Sequence, residues 1–331
     1  MAKEIFHVLR SDQFDRNSLD EIYDVTNKLR TISRSKRGAD YLRTLLSHKR
    51  GMLYFTQPST RTFLSFLNAC QILGVQTSEI RDASTSSEMK GETSEDAIRT
   101  FSSYVDFIIM RSPHAGLAER IANLLDETRR RVPIINGGSG KDEHPTQALL
   151  DVYTLRRSFS KKKEDLDGKK IAMVGDVQRG RTVRSLSRLM KHFKDVEIYF
   201  VSPESLKIGE DLRSDLKNTG VKFHETTEFK DVIPLIDAIY MTRIQDEYDE
   251  KGESKGIDYS KYHFVYDHLN ILKKDAIIMH PLPRRMEIDV KVDADPRAKY
   301  WRQERNGMWT RVALIAKIFG IDKEITQPYG E

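Results

Sequence analysis

The chain has 331 residues, 55 of them Lys or Arg and 50 Asp or Glu, for a formal net charge of +5. Such a length buries a large core and usually divides into two domains, and the small positive excess favours anionic partners while falling short of a nucleic-acid-binding surface. One cysteine excludes an internal disulfide, and no window of eighteen apolar residues exists to cross a membrane.

In chain order, the first residues, MAKEIFHVLRSDQFD, have the pattern of neither a signal peptide nor a transit peptide, so a cytoplasmic protein is expected. Short apolar runs then alternate with amphipathic ones. Strands are expected at GMLYFT (51–56), TSEIRD (77–82), VDFIIMR (105–111) and VPIIN (132–136). A second series follows at KIAMVGD (170–176), VEIYFVS (196–202), AIYMTR (238–243), FVYD (264–267) and AIIMHP (276–281). Helical spacing marks 61–73, 93–103, 116–129, 145–158, 182–193 and 204–219, and the last long helix covers about 301–318. Cys70 lies in the helical run SFLNACQIL and is expected to be a buried thiol.

Strands that alternate with helices imply parallel sheets. The expected fold is α/β, with two doubly wound domains, each a parallel β-sheet flanked by helices, linked by interdomain helices. The boundaries expected are 1–148, 149–300 and a C-terminal segment 301–331 that packs back on the first domain.

Ligands of open α/β sheets bind beyond the carboxyl ends of the strands. Six strand ends in this chain carry Arg, His, Gln or hydroxyl groups: QPSTRT, RSPH, GGSGKDEHPTQ, VQRGRT, TRIQ and HPLPRR. In QPSTRT the polar cluster opens a helix. Its hydroxyls read either as a plain N-cap or, with Arg61, as an anion site at a helix N-terminus. His144, just before Pro145, reads as a helix cap or a site residue, and Arg181 as a structural ion-pair partner or an anion ligand. The sequence has no clustered metal-ligand spacing, no G-x-G-x-x-G after a strand, no P-loop and no nucleophile elbow. Neither a metal nor a cofactor is therefore expected. Arginine, whose fixed fork of donors matches carboxylate and phosphate, dominates what remains.

STRT opening a helix, HPTQ, GRT after a strand, TRIQ and HPLPR, in this order, resemble the aspartate/ornithine carbamoyltransferase family across nearly the whole chain. HPLP and TR-x-Q are similar to the aspartate branch; the HCLP and D-x-x-x-S-M-G stretches expected of the ornithine branch are absent. The resemblance implies a first domain that binds carbamoyl phosphate and a second that binds an amino acid. The implied reaction moves the carbamoyl group of carbamoyl phosphate to the amino group of L-aspartate, a step of pyrimidine biosynthesis. Ser59, Thr60, Arg61 and Thr62 then grip the phosphate. Arg111 touches phosphate and carbonyl oxygen, His144 donates to that oxygen, and Gln147 with the carbonyls of Pro281 and Leu282 holds the carbamoyl NH2. Arg61, Thr62, Arg111, His144 and Gln147 form the implied catalytic set. Arg181, Arg243 and Gln245, with Lys90 and Leu282, face the aspartate. STSSEMKGE matches a family loop that places Ser86 and Lys90 in the neighbouring subunit's site, which implies a homotrimer and leaves room for a regulatory chain.

The chain leaves the family pattern at four positions. Gln57 stands where an acid or base precedes STRT, and Phe63 where an arginine usually follows it. Leu67 replaces the acid of SFE, and Tyr248 an arginine beyond TR-x-Q. These changes bear on the second substrate, so another amino acceptor, such as an ornithine derivative or related amino acid, and a non-catalytic anion-binding relative stay open as readings. The polar loop DEYDEKGESKG (246–256) suits a closing segment.

Overall fold

Runs such as RGMLYF and FIIMRS are apolar without alternation, the signature of strands covered on both faces. The computed structural model of the chain describes residues 5–82, 91–140, 143–160, 164–243 and 257–326. It divides into two units, Met1–Leu150 with Gly307–Glu331, and Asp151–Asn306.

The first unit is built on β1 (Arg50–Phe55), β2 (Gln76–Ile80), β3 (Phe107–Ser112) and β4 (Ile134–Ser139), in the order β2-β1-β3-β4 with every pair parallel. Its helices are α1 (Arg16–Ile32), α2 (Lys36–Thr44), α3 (Thr60–Ile72), α4 (Ser94–Ser102), α5 (Leu117–Asp126) and the first turns of α6 (Pro145–Phe159). Met52, Tyr54, Ile108 and Met110 of the sheet pack with Ile98 of α4 and Leu117, Ile121 and Leu125 of α5. Burying each such side chain fully contributes about 1.5–3 kcal/mol.

The second unit contains β5 (Lys170–Val174), β6 (Glu197–Val201), β7 (Lys222–Thr226), β8 (Ala238–Met241) and β9 (Ile277–Met279), parallel in the order β7-β6-β5-β8-β9. Helices α7 (Arg181–Leu189), α8 (Glu210–Thr219) and α9 (Phe229–Val232) connect them. Ala172, Val174, Ile239, Met241 and Ile278 share a core with Phe229, Ile233, Phe264 and Tyr300. The long α10 (Tyr300–Ile318) starts here and ends in the first unit, where Val312 through Ala316 are fully buried; α11 (Asp322–Thr326) follows.

Two parallel-sheet α/β domains are thus present, as the alternation of elements predicts. Two local expectations are corrected, and three elements had none. FVYD is not a strand: Phe264 makes one isolated bridge to Ile288 and the chain turns at once into a 3-10 helix, Tyr266–Asn270. The helix expected at 204–219 begins only at Glu210, after a 3-10 turn at Glu204–Leu206 and the N-cap Gly209. β7 has no counterpart among the expected strands, because KFHET is a short, mostly polar run with no apolar stretch to mark it. The N-terminal α1 and α2 were also not expected.

Each sheet reverses its direction of growth once, between β1 and β3 in the first and between β5 and β8 in the second. Such switch points open a crevice at the carboxyl ends of the strands. Among the described residues no helix is long and apolar enough to cross a membrane.

Cys70 is completely buried on α3, and burial pushes its thiol up to about 12. Native protein at neutral pH should therefore leave Cys70 unlabelled by a thiol reagent and react stoichiometrically once denatured. Rapid labelling of the native protein would contradict this packing.

Candidate active site

At the switch point of the first sheet, register places Phe55 of β1 opposite Arg111 of β3. The Arg111 carbonyl accepts the backbone N–H groups of Thr56 (3.0 Å) and Gln57 (3.2 Å), which ties the QPSTRT loop to the end of β3. Helix α3 opens directly afterwards. Ser59 is its N-cap residue, yet its side chain makes no capping hydrogen bond, so the plain-cap reading of that hydroxyl is corrected. Thr62 is buried, while Ser59 is half-buried and Thr60 and Arg61 are exposed.

The Arg111 side chain is only 8% exposed, and its Nη1 donates to the Gly137 carbonyl at 3.1 Å. Gly138 allows this seating. Its φ is +114°, and a Cβ there would lie 2.7 Å from Arg111 Nη1 and 3.2 Å from His144 Cδ2. The glycine therefore puts Arg111 and His144 side by side. Asn136 shapes the same turn: its Oδ1 accepts Gly138 N–H at 2.8 Å and its Nδ2 donates to Leu9 O at 3.0 Å. Glu143, 1% exposed, anchors the segment before His144 by accepting from Ser11 N (3.2 Å) and Ser11 Oγ (3.1 Å). His144 begins α6 through its backbone, its carbonyl accepting from Gln147 and Ala148, and both His144 and Gln147 are buried.

Beside this cluster lies a cavity of about 260 Å³ lined by Phe55, Pro58, Ser59, Thr60, Phe63 and Arg81. Phe63 is buried edge-to-face on Phe55, ring centroids 5.4 Å apart, and the Arg81 guanidinium covers it at 4.3 Å. Arg311 of α10 reaches α3, donating to Ser65 Oγ at 2.6 Å and lying over the Phe66 ring.

In the second unit the switch point is held by a close approach. Thr242, after β8, donates through N and Oγ1 to Val174 O at 2.8 and 2.9 Å. Gly175 has φ +111°, and a Cβ there would meet Thr242 O at 2.4 Å. Of the two arginines in VQRGRT, Arg179 is structural: its Nε donates to the fully buried Asp176 at 2.8 Å. Arg181, half-buried, is the first residue of α7, and Arg243 follows Thr242. Gly175 and Thr242 also line a cavity of about 400 Å³ with Tyr259, Tyr262, His263, Arg285, Met286 and Glu287.

Beyond β9, the His280 ring bridges two groups. Its Nδ1 accepts Leu282 N–H at 2.7 Å and its Nε2 lies 2.6 Å from Glu287 Oε1. Burial disfavours the Glu287 carboxylate, but His280 and the backbone N–H groups of Glu287 and Arg285 outweigh it and hold its pKa below the ordinary value. The His280 backbone is fixed in turn: its N–H donates to Gln303 Oε1 at 3.0 Å, and Gln303 Nε2 donates to Asp151 Oδ1 at 2.7 Å.

The structure thus sets His144 beside Arg111, ties the loop that leads to Ser59–Thr62 to the end of β3 and puts Gln147 in the first turn of α6, and it places Arg181, Arg243, Pro281 and Leu282 at strand ends of the second unit. Ser86, Lys90, Gln245, Tyr248 and the loop 246–256 lie outside the described residues. Gly138, Glu143, Arg81, His280 and Glu287 were not singled out from sequence. GGSG marked a turn, but nothing in it marked the residue that faces Arg111.

Comparison with known proteins also divides the chain in two. Residues 7–157 match the family model "Aspartate/ornithine carbamoyltransferase, carbamoyl-P binding domain", and residues 167–318 match "Aspartate/ornithine carbamoyltransferase, Asp/Orn binding domain". The chain is 43% identical over 314 residues to the chloroplastic aspartate carbamoyltransferase of Arabidopsis thaliana, covering 94% of this chain and 77% of that protein. Among solved structures it is similar to the catalytic subunit of M. jannaschii aspartate transcarbamoylase, with a TM-score of 0.84, 37% identity and coverage of 96% and 99%. The Trypanosoma cruzi aspartate transcarbamoylase in complex with carbamoyl phosphate and aspartate gives a TM-score of 0.84 at 32% identity, covering 95% and 96%.

Two expectations follow from this geometry. Gly138→Ala forces a left-handed residue against Arg111 and should destabilise the protein by about 1–3 kcal/mol, read as a lower denaturation midpoint; an unchanged midpoint would contradict the close approach. Glu287 has a lowered folded-state pKa. Its contribution to stability is therefore complete above the ordinary carboxyl pKa and is lost as pH falls through the lowered value. Glu287→Gln should flatten the acid limb of the stability–pH curve over that window.

Proposed function

The chain belongs to the aspartate/ornithine carbamoyltransferase family, and from that premise we propose that it transfers the carbamoyl group of carbamoyl phosphate to the amino group of L-aspartate. The products are N-carbamoyl-L-aspartate and phosphate, and the reaction belongs to pyrimidine biosynthesis. The observation that carries this reading is the buried Arg111 guanidinium, held against Gly137 beside His144 at the carboxyl ends of β1 and β3.

The reaction needs no side-chain nucleophile. The aspartate nitrogen attacks the carbamoyl carbon, the carbonyl oxygen takes up negative charge, and the carbon–oxygen bond to phosphate breaks. The departing phosphate accepts the proton released by the amine. Catalysis is then positioning plus stabilisation of developing charge. Ser59, Thr60, Arg61 and Thr62 bind phosphate at the N-terminus of α3, where backbone N–H groups add donors. Arg111 and His144 serve the carbonyl oxygen, and Gln147 with the carbonyls of Pro281 and Leu282 holds the carbamoyl NH2. Arg181, Arg243 and Gln245 pair with the two aspartate carboxylates, as the bidentate geometry of arginine suits.

In this reading residues 1–148 bind carbamoyl phosphate, 149–300 bind aspartate, and 301–331 return to the first domain. No cofactor takes part. The protein works in the cytoplasm as a homotrimer, with Ser86 and Lys90 supplied to the neighbouring site, and a regulatory chain is a candidate further partner. The T. cruzi relative, whose complex holds carbamoyl phosphate and aspartate, supports the substrate pair.

Steady-state assays of carbamoyl phosphate with aspartate, and separately with ornithine, test the reading. Turnover is expected with aspartate alone. Arg111→Ala and His144→Ala should each lower kcat by about 10²–10³, and near-normal turnover in either would remove its assigned role. Arg243→Ala should act mainly on the KM for aspartate.

A further inference from the structure

The turn after β9 contains three successive residues, Pro281, Leu282 and Pro283. Proline has no backbone N–H, so the turn owns one backbone donor, that of Leu282. That donor is spent on His280 Nδ1 at 2.7 Å. The contact requires Nδ1 to carry its lone pair, so in neutral His280 the proton sits on Nε2. Glu287 enforces this arrangement: its carboxylate, 2.6 Å from Nε2, only accepts. Arg285 N–H donates to both oxygens of the same carboxylate, at 3.1 and 3.0 Å, which holds it in place. His280 is 1% exposed and Glu287 8%, whereas Pro281 and Leu282 are half-buried at the surface of the unit. The buried pair therefore acts on an accessible turn.

We propose that His280, held in one tautomer by Glu287, is a specificity-determining positioning residue that makes the Pro281–Pro283 turn a hydrogen-bond acceptor with no donor. Such a turn selects an acyl phosphate bearing NH2 and rejects one that puts an oxygen anion at that position. The inference rests on the carbamoyl phosphate reading and adds to it the device by which NH2 is recognised. A site built to pair with an NH group discriminates strongly, because its polar atoms are left unpaired by the wrong ligand.

Phosphonoacetamide and phosphonoacetate, which differ by NH2 against O⁻, are suitable probes. Their inhibition constants against carbamoyl phosphate are measured with the full chain and with His280→Gln, His280→Asn and Glu287→Gln. The wild type should prefer the amide. His280→Gln removes the acceptor at the Nδ1 position and releases Leu282 N–H, so the amide preference should fall by about tenfold, the worth of one hydrogen bond. His280→Asn keeps an acceptor oxygen where Nδ1 stood and should retain the preference. Glu287→Gln can donate to Nε2, permits the other tautomer, and should also lower the preference. A merely structural role would weaken both probes equally and leave their ratio unchanged.

An unchanged ratio in His280→Gln and Glu287→Gln would overturn the proposal, as would a loss in His280→Asn as large as in His280→Gln. If His280→Gln does not fold, the Glu287→Gln ratio decides. Wild-type protein that turns over carbamoyl phosphate and aspartate but shows no amide preference also overturns it. A wild type without turnover removes the underlying reading instead, so the two failures are told apart.

Discussion

The contact between β1 and β3 governs the first unit. Once Phe55 is in register with Arg111, the Arg111 carbonyl takes both N–H groups of the outgoing Thr56–Gln57 turn. That single acceptor fixes where the QPSTRT loop leaves the sheet and therefore where α3 begins. The same backbone residue carries the guanidinium that Gly137 and Gly138 accommodate. Register, loop exit and site chemistry are one constraint. The second unit repeats the device with other residues: Thr242 closes on Val174, and Gly175 permits the approach. In both, a parallel sheet that grows first one way and then the other leaves its strand ends diverging around a crevice.

Holding charge in such places has a cost, since a buried ion without partners is unfavourable by several kcal/mol. Three buried or half-buried charges meet that cost locally. Arg179 lies on Asp176, Glu143 on Ser11, and Arg284 on Asp293, whose carboxyl the Arg284 hydrogen bond holds below its ordinary pKa. Arg284 and Arg179 are structural even though they sit in the same strand-end motifs as the candidate ligands.

The departures from the family pattern acquire a physical account at one point. Phe63, where an arginine usually follows STRT, is a core residue on Phe55, and Arg81 from beyond β2 lies across its ring. A ring face attracts a guanidinium, so this wall of the cavity keeps a positive group although the local sequence lost one. Leu67 is half-buried on the same helix, consistent with an apolar replacement for a charged pair.

Strand and helix identity was legible wherever apolar period and turn residues agreed, because local burial writes itself into local sequence. Hence β1, β3, β5 and β8 and helices α3, α4, α6 and α10 stand close to where periodicity places them. It failed at β7, an edge strand too polar to carry a burial pattern, and at FVYD, whose apolar residues serve a 3-10 corner. Composition and motif order likewise determined that arginine and hydroxyl groups collect at strand ends, and which family they resemble. Only the tertiary structure decided which of these groups meet. Arg111 and His144 are brought together by a glycine's missing Cβ, and His280 and Glu287 by a turn that folds seven residues back on themselves. Such pairings depend on register and on left-handed backbone at single positions, and neither leaves a periodic trace in the sequence.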